Sequence, residues 1–160
     1  MKHLRSGAQI AAVTIVGLLL APSAKAQARD HRTARERLIG AWQLERIDLP
    51  TLDSEASNAP QPKGMLIYTR DGHMSVQLMY PQSASSLSNE YVRSGYEASF
   101  GSYTIDEHTH TLTHHVEGSI TGDLLVGKDL PRIYTLTSDG RLIIRSAKSD
   151  EHWSVTWRHY

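Results

Sequence analysis

Strict alternation of apolar and polar residues is the feature of this sequence that most constrains its fold. It is clearest in FGSYTIDEHTHTLTHHVEG (100–118), where two alternating segments, Gly101–Asp106 and Thr111–Glu117, flank a polar turn at Glu107–His110. Successive side chains of a strand point to opposite faces, so this alternation is typical of strands that bury one face. The pattern therefore predicts an antiparallel hairpin.

Two further hairpins are predicted around three-residue turns that end in glycine, 70–72 and 138–140. A glycine in the left-handed position of such a turn sets the register of both strands. A slip of one residue would send every side chain to the other face. The first hairpin then pairs Thr69 with His73 and collects Leu66, Tyr68, Met74, Val76 and Leu78 on one face. The second aligns Arg132, Tyr134 and Leu136 with Leu142, Ile144 and Ser146.

The strand count predicts an all-β fold. A first strand within Leu38–Leu49 has Trp42 and Leu44 on one face, and a last one covers Trp153–Tyr160. Short strands joined by tight turns are typical of a sandwich or a barrel, and eight of them close into an up-and-down barrel just wide enough for one small ligand. One short helix or lid-like loop is expected within 81–99, where Leu87, Tyr91, Val92 and Tyr96 recur at roughly helical spacing.

The N-terminus is predicted to be a cleaved signal peptide covering residues 1–26. Basic residues precede the apolar run Ile10–Pro22, and Ala24-Lys25-Ala26 fits a small-x-small cleavage site. The run is shorter than the roughly 20 residues that a spanning helix needs, so no stable membrane anchor is expected. We therefore expect an exported protein, periplasmic or secreted, with a flexible segment at 27–37 and a barrel domain at 38–160.

Composition excludes several classes of protein. The chain has no cysteine, and hence no disulfide framework. Removing residues 1–26 takes away three of its 17 basic residues, leaving 14 against 17 acidic ones, a balance that argues against a nucleic-acid partner. Phosphate-loop, dinucleotide and Gly-x-Ser-x-Gly motifs are all missing from the sequence, so we predict no cofactor and no serine hydrolase.

An ordered set of motifs resembles the lipocalin-like domain family of the calycin superfamily. Gly40-Ala41-Trp42 with Arg158 is similar to the calycin signature, in which a basic residue near the last strand packs over the tryptophan. The resemblance continues through Gly64–Tyr68, Asp71–Gln77, Phe100–Tyr103, Thr113–Gly118, Val126-Gly127, Arg132–Tyr134 and Arg141–Ile144. Where the family carries Pro-Asn-Trp, this chain has Asp123-Leu124-Leu125. The resemblance implies a barrel with an internal cavity.

The inward faces define a candidate ligand site. An apolar wall with a few convergent polar groups is what a small-molecule site needs. We therefore predict that a small hydrophobic or amphipathic molecule is bound by Trp42, Tyr68, Met74, Val76, Tyr103, His114, Arg132 and Tyr134. The alternative is a filled barrel in which these side chains satisfy one another.

Arg132 is the most informative of these residues. A guanidinium among apolar side chains is costly unless it is paired, and the predicted inward set holds no Asp or Glu. Its partner is then a tyrosine, a carbonyl group or an anionic ligand. Arg132-x-Tyr134 resembles the carboxylate anchor of the fatty-acid-binding proteins. Alternatively, Arg132 lies at the rim of the barrel in solvent.

Two other functions remain open from the sequence. In the first, His114 with Tyr103 on the neighbouring strand forms the acid–base pair of a cofactor-free isomerase, cyclase or hydratase. In the second, the protein binds zinc in the periplasm through histidines of the central hairpin, such as His108, His110 and His115. The second requires three or four converging ligands, whereas these histidines are divided between a turn and opposite faces of a strand.

Overall fold

The computed structural model describes residues 32–49, 61–81 and 88–160. The predicted signal peptide, the first part of the 27–37 segment and most of the loop that follows the first strand lie outside these residues. Within them, the elements are α1 (Ala34–Leu38), β1 (Gly40–Asp48), β2 (Lys63–Tyr68), β3 (His73–Met79), β4 (Val92–Arg93), β5 (Tyr96–Asp106), β6 (Thr111–Ser119), a 3-10 turn (Gly122–Leu124), β7 (Asp129–Leu136), β8 (Arg141–Ser146) and β9 (Ser154–His159).

Eight antiparallel strands form a closed barrel, which confirms the predicted fold. The strands follow the order β3-β2-β1-β9-β8-β7-β6-β5, and a pairing between β3 and β5 closes the ring. The two-residue strand β4 pairs with the start of β5 and is not one of the eight strands that close the barrel. Among the described residues, no helix has the length and apolar character needed to cross a membrane.

Both glycine turns produce the predicted registers. In the first hairpin Tyr68 lies opposite Met74, and the Thr69 amide donates to the His73 carbonyl oxygen at 2.9 Å. Gly72 has φ +95°, a conformation that side-chain-bearing residues rarely adopt. In the second hairpin Arg132 lies opposite Ser146 and Leu136 opposite Leu142, as expected. The predicted inward residues of these hairpins are therefore inside the barrel.

The helix expected within 81–99 is not present in the described part of that stretch, 88–99. Val92 and Arg93 form β4, a turn at Ser94 and Gly95 follows, and β5 begins at Tyr96. Pairing with β3 decides this conformation, because seven residues of β5 lie opposite His73–Met79. Leu87, part of the helical spacing, lies outside the described residues. The short helix of the fold is instead α1, which begins with a capping box between Thr33 and Glu36.

Helix α1 covers one end of the barrel, and Trp42 is packed beneath it. The indole N–H of Trp42 donates to the carbonyl oxygen of Leu38 at 2.8 Å, and both residues are fully buried. The ring stacked over Trp42 is that of His159, with 3.7 Å between ring centroids. Arg158, expected there from the family resemblance, points outward and donates to Gln43. Strand alternation explains the correction, because Trp157 and His159 share the inner face.

Candidate functional site

The barrel interior is divided into a packed end and an open end. At the α1 end, large side chains meet and are almost fully buried, among them Trp42, Tyr68, Met74, Tyr103, Leu112, Tyr134 and Leu142. At the other end lies a cavity of about 420 Å³. The filled barrel that the sequence left open as an alternative therefore describes the α1 end, whereas the other end contains a cavity.

Three of the predicted ligand-binding residues line the cavity: Val76, His114 and Arg132. The other five do not line it, because they belong to the packed end: Trp42, Tyr68, Met74, Tyr103 and Tyr134. Most of the remaining wall is apolar and comes from several strands, with Leu66, Leu78, Ile144, Val155 and Trp157 among its members. The cavity thus offers an apolar ligand a large contact surface.

Arg132, on β7, is the buried cation of this cavity. Only 6% of its surface is exposed, and its guanidinium lies between two aromatic rings, 5.4 Å from the centroid of Tyr91 and 5.0 Å from that of Trp153. Cations favour the electron-rich faces of aromatic rings, so this arrangement holds the side chain in place. Its guanidinium donates a hydrogen bond to the Pro131 carbonyl oxygen, at 3.2 Å. None of the described carboxylates forms an ion pair with it.

The ring of Trp153 is oriented by Glu151. The carboxylate of Glu151 accepts hydrogen bonds from the Trp153 indole at 3.1 Å, the Ser146 hydroxyl at 2.7 Å and the Lys148 ammonium at 2.6 Å. These bonds, led by that from Lys148, lower the pKa of Glu151 to about 2. A carboxylate that stays ionised and multiply bonded is a firm support for the ring beside Arg132.

Glu97, on β5, supplies a carboxyl group to the same cavity. It lies opposite Leu78 of β3 and is half-buried, with no hydrogen-bond or ion-pair partner among the described residues. Burial raises its pKa to about 7, although the positive charge of Arg132 acts in the opposite direction. The cavity therefore holds one unpaired cation and one carboxyl group that ionises near neutral pH.

His114 and Tyr68 form a buried hydrogen bond between the cavity and the packed end. The Tyr68 hydroxyl lies 2.7 Å from His114 Nε2. Burial, assisted by the positive charge of Arg132, lowers the pKa of His114 to about 3, and burial raises the pKa of Tyr68 well above its usual value. The imidazole is therefore neutral, and its tautomer decides which of the two groups donates the hydrogen bond.

This pairing differs from the predicted pair of His114 and Tyr103. The two residues lie opposite each other on β5 and β6, but the Tyr103 hydroxyl donates to the Thr69 carbonyl oxygen at 3.0 Å. A tyrosine hydroxyl lies at the far end of its ring, so neighbouring backbone positions do not bring it to the imidazole. Tyr134 does not line the cavity either. Its hydroxyl has no hydrogen-bond partner among the described residues.

The sequence prediction missed Glu97, Tyr91 and Trp153 as cavity residues. The inward position of Glu97 could have been predicted, because the alternation of β5, followed backward from Tyr103 through Gly101 and Ser99, places it on the inner face. It was missed because 81–99 was assigned to a helix or loop. No pattern indicated that Tyr91 and Trp153, from distant parts of the chain, meet at Arg132.

The histidines of the central hairpin do not converge. Both ring nitrogens of His115 are engaged on the outer surface, with Asp129 at 2.6 Å and with the Thr104 hydroxyl at 3.0 Å. His110 packs edge-on against Tyr134. Across 32–49, 61–81 and 88–160, no group of three or more His, Asp or Glu side chains is placed to hold a metal ion.

A closed eight-stranded antiparallel barrel that is packed at one end and hollow at the other defines a calycin-type barrel. The chain belongs to the lipocalin-like domain family, whose model matches residues 39–159. Crystal structures of the fluorescent protein UnaG are similar to it: the wild type is 14% identical with a TM-score of 0.41, covering 78% of this chain and 98% of its own. A mutant of UnaG is 12% identical with a TM-score of 0.39, covering 78% and 97%. No curated protein matches the chain in sequence.

Proposed function

We propose that this protein binds a small, largely apolar molecule whose anionic end is held by Arg132. The observation that carries the proposal is a buried guanidinium that lines the cavity and has no carboxylate partner among the described residues. Burying a cation without a counter-charge costs free energy, and an anionic ligand would recover part of that cost.

The size and lining of the cavity support a ligand of this class. Small-molecule sites typically have volumes of roughly 300–1,000 Å³ with mainly apolar walls and a few polar groups, and the cavity of about 420 Å³ lies within that range. A molecule of two or three rings, or a medium-length acyl chain, matches its dimensions. The aromatic rings of Tyr91 and Trp153 hold Arg132 in place before a ligand arrives, which reduces the entropy lost on binding.

A matched pair of fluorescent probes tests the proposal. 1-Anilinonaphthalene-8-sulfonate carries a permanent negative charge, and N-phenyl-1-naphthylamine has nearly the same rings without it. Arg132→Gln removes the cation, and Arg145→Gln on the exposed side of β8 is the control. We expect Arg132→Gln to weaken binding of the sulfonate on the order of 10- to 100-fold, because charge-assisted hydrogen bonds contribute about 1.5–3 kcal/mol. Binding of the neutral probe should change little.

The control protein should bind both probes as the wild type does. The proposal fails if neither probe enters the wild-type protein, or if Arg132→Gln affects the two probes equally.

The enzymatic alternative has weaker support from the geometry. The predicted acid–base pair is not hydrogen-bonded, since His114 contacts Tyr68 and Tyr103 contacts a backbone carbonyl group. An imidazole with a pKa of about 3 stays neutral near pH 7 and is a poor proton carrier there. Zinc binding lacks a cluster of ligands in the described residues.

Export is a separate part of the proposal. The basic start, apolar run and small-x-small site of residues 1–26 support cleavage after Ala26 and release from the cytoplasm. Mass spectrometry of the protein from its native host should then give a chain that begins at Gln27. A full-length chain retained in the cytoplasm would contradict this prediction.

A further inference from the structure

The unpaired charges of Arg132 and Glu97 face one cavity without forming an ion pair. Arg132 reaches the cavity from β7 and Glu97 from β5, and both strands flank β6. No ion pair joins the two side chains, and none of the described residues provides either with an oppositely charged partner. When Glu97 is ionised the pair is neutral overall, and when Glu97 is protonated the cavity carries one positive charge.

Five other titratable groups among the described residues face the cavity. They come from every side of the wall: Tyr80 after β3, Glu90 and Tyr91 before β4, His114 on β6 and Glu151 before β9. Burial raises the pKa of Tyr80 and of Tyr91, burial lowers the pKa of His114 to about 3, and the bond from Lys148 leads those that lower the pKa of Glu151 to about 2. Glu90 is exposed at the rim.

We propose that Glu97 determines the ionic form of the ligand, so that the cavity takes up a singly charged anion on Arg132 together with one proton on Glu97. This inference rests on the proposed function and narrows its ligand class to monoanions. A doubly charged ligand would place its second charge near a carboxyl group in an apolar wall, where the lining formed by the described residues offers no cation besides Arg132.

Electrostatics explains why binding of an anion to Arg132 and protonation of Glu97 are linked. In the empty cavity, burial already favours the neutral carboxyl group, and only the field of Arg132 favours its ionised form. The negative charge of an anion bound to Arg132 opposes that field at Glu97. Loss of the field favours protonation, so the pKa of Glu97 rises when the ligand binds.

The rise in the pKa of Glu97 determines how the affinity for an anion depends on pH. The complex binds more protons than the free protein between the free pKa, about 7, and the higher pKa of the complex. In that interval the affinity for an anion falls as the pH rises, by at most about tenfold per pH unit for one proton. Below the free pKa the affinity is constant, since both forms are already protonated.

Calorimetry with 1-anilinonaphthalene-8-sulfonate measures the proton directly, because the sulfonate itself does not titrate. Binding at about pH 7.5 is compared in triethanolamine and Tris, two cationic buffers with different heats of ionisation. We expect a net uptake of about half to three quarters of a proton per probe bound by the wild type, because a group with a pKa of about 7 is already about one quarter protonated in the free protein at this pH. Glu97→Gln should take up none and should bind with an affinity that does not change between about pH 7 and 8.5. The control Glu117→Gln, at an exposed position of β6 away from the cavity, should behave like the wild type.

The outcomes separate this inference from the function on which it rests. Binding that depends on Arg132 but takes up no proton overturns the role of Glu97 alone. Failure of the probe to bind overturns both proposals. Proton uptake that persists in Glu97→Gln also overturns the role of Glu97. If that variant does not fold, the carboxyl carbon chemical shift of Glu97, measured by NMR in the wild-type protein with and without the probe, decides: protonation on binding moves this shift upfield, and an unchanged shift overturns the role of Glu97.

Discussion

Replacement of Glu97 by glutamine should stabilise the protein at alkaline pH and have little effect in acid. In the folded protein the pKa of Glu97 is about 7, against a reference value of 4.5 for a solvated glutamate. The folded state therefore binds more protons than the unfolded chain between these values, so its stability decreases as the pH rises through this interval. Glutamine has the same shape and never ionises.

The difference of about 2.5 pKa units between 7 and 4.5 corresponds to about 3 kcal/mol, at roughly 1.4 kcal/mol per unit. Because Glu97 is half-buried, solvent screening lowers this value, and we expect an effect of about 1–3 kcal/mol.

Urea denaturation followed by tryptophan fluorescence measures this quantity. The free energy of unfolding is determined for the wild type and for Glu97→Gln at about pH 4 and about pH 8.5, where groups common to both proteins cancel in the comparison. The free energy of unfolding of Glu97→Gln should exceed that of the wild type only at the higher pH. Glu90→Gln, a change of the same chemistry at an exposed position, should show no such gain. An advantage of equal size at both pH values would refute the assignment of Glu97 as a buried carboxyl group that ionises near pH 7.

Other substitutions test contacts at the packed end. Tyr68→Phe removes one partner of a buried hydrogen bond and should cost about 1–2 kcal/mol in the free energy of unfolding, whereas Tyr134→Phe removes a hydroxyl without a partner in the described structure and should cost nothing measurable. Equal losses in urea titrations would contradict this assignment. His159→Ala should destabilise the protein by about 1 kcal/mol through loss of the ring over Trp42, and Arg158→Ala should change stability by less than about half of that. The reverse order would restore Arg158 to the role that the family resemblance suggested.

The sequence by itself determined most of the strands and the registers of the two hairpins with glycine turns. Alternation at every second residue and glycine at the ends of two tight turns are local properties, and they placed Arg132 and His114 on strand faces that the structure shows to be buried. A period of two leaves a side chain only two faces to occupy, so a single correct register orients a whole hairpin. The same regularity explains why the barrel could be predicted, whereas the family was inferred from the resemblance of an ordered set of motifs such as Gly40-Ala41-Trp42.

The tertiary structure alone decided how the interior is divided and which inward groups meet. Strand alternation distinguishes inside from outside but says nothing about position along the barrel axis, where α1 and the large aromatic residues fill one end and leave the other hollow. It also cannot show that Tyr68, rather than Tyr103, contacts His114. The contacts of Arg132 with the rings of Tyr91 and Trp153, and the inward position of Glu97, depend on residues far apart in sequence. Pairing with β3 overrode the local helical spacing near Glu97, because closing the barrel satisfies the backbone hydrogen bonds of two strands at once.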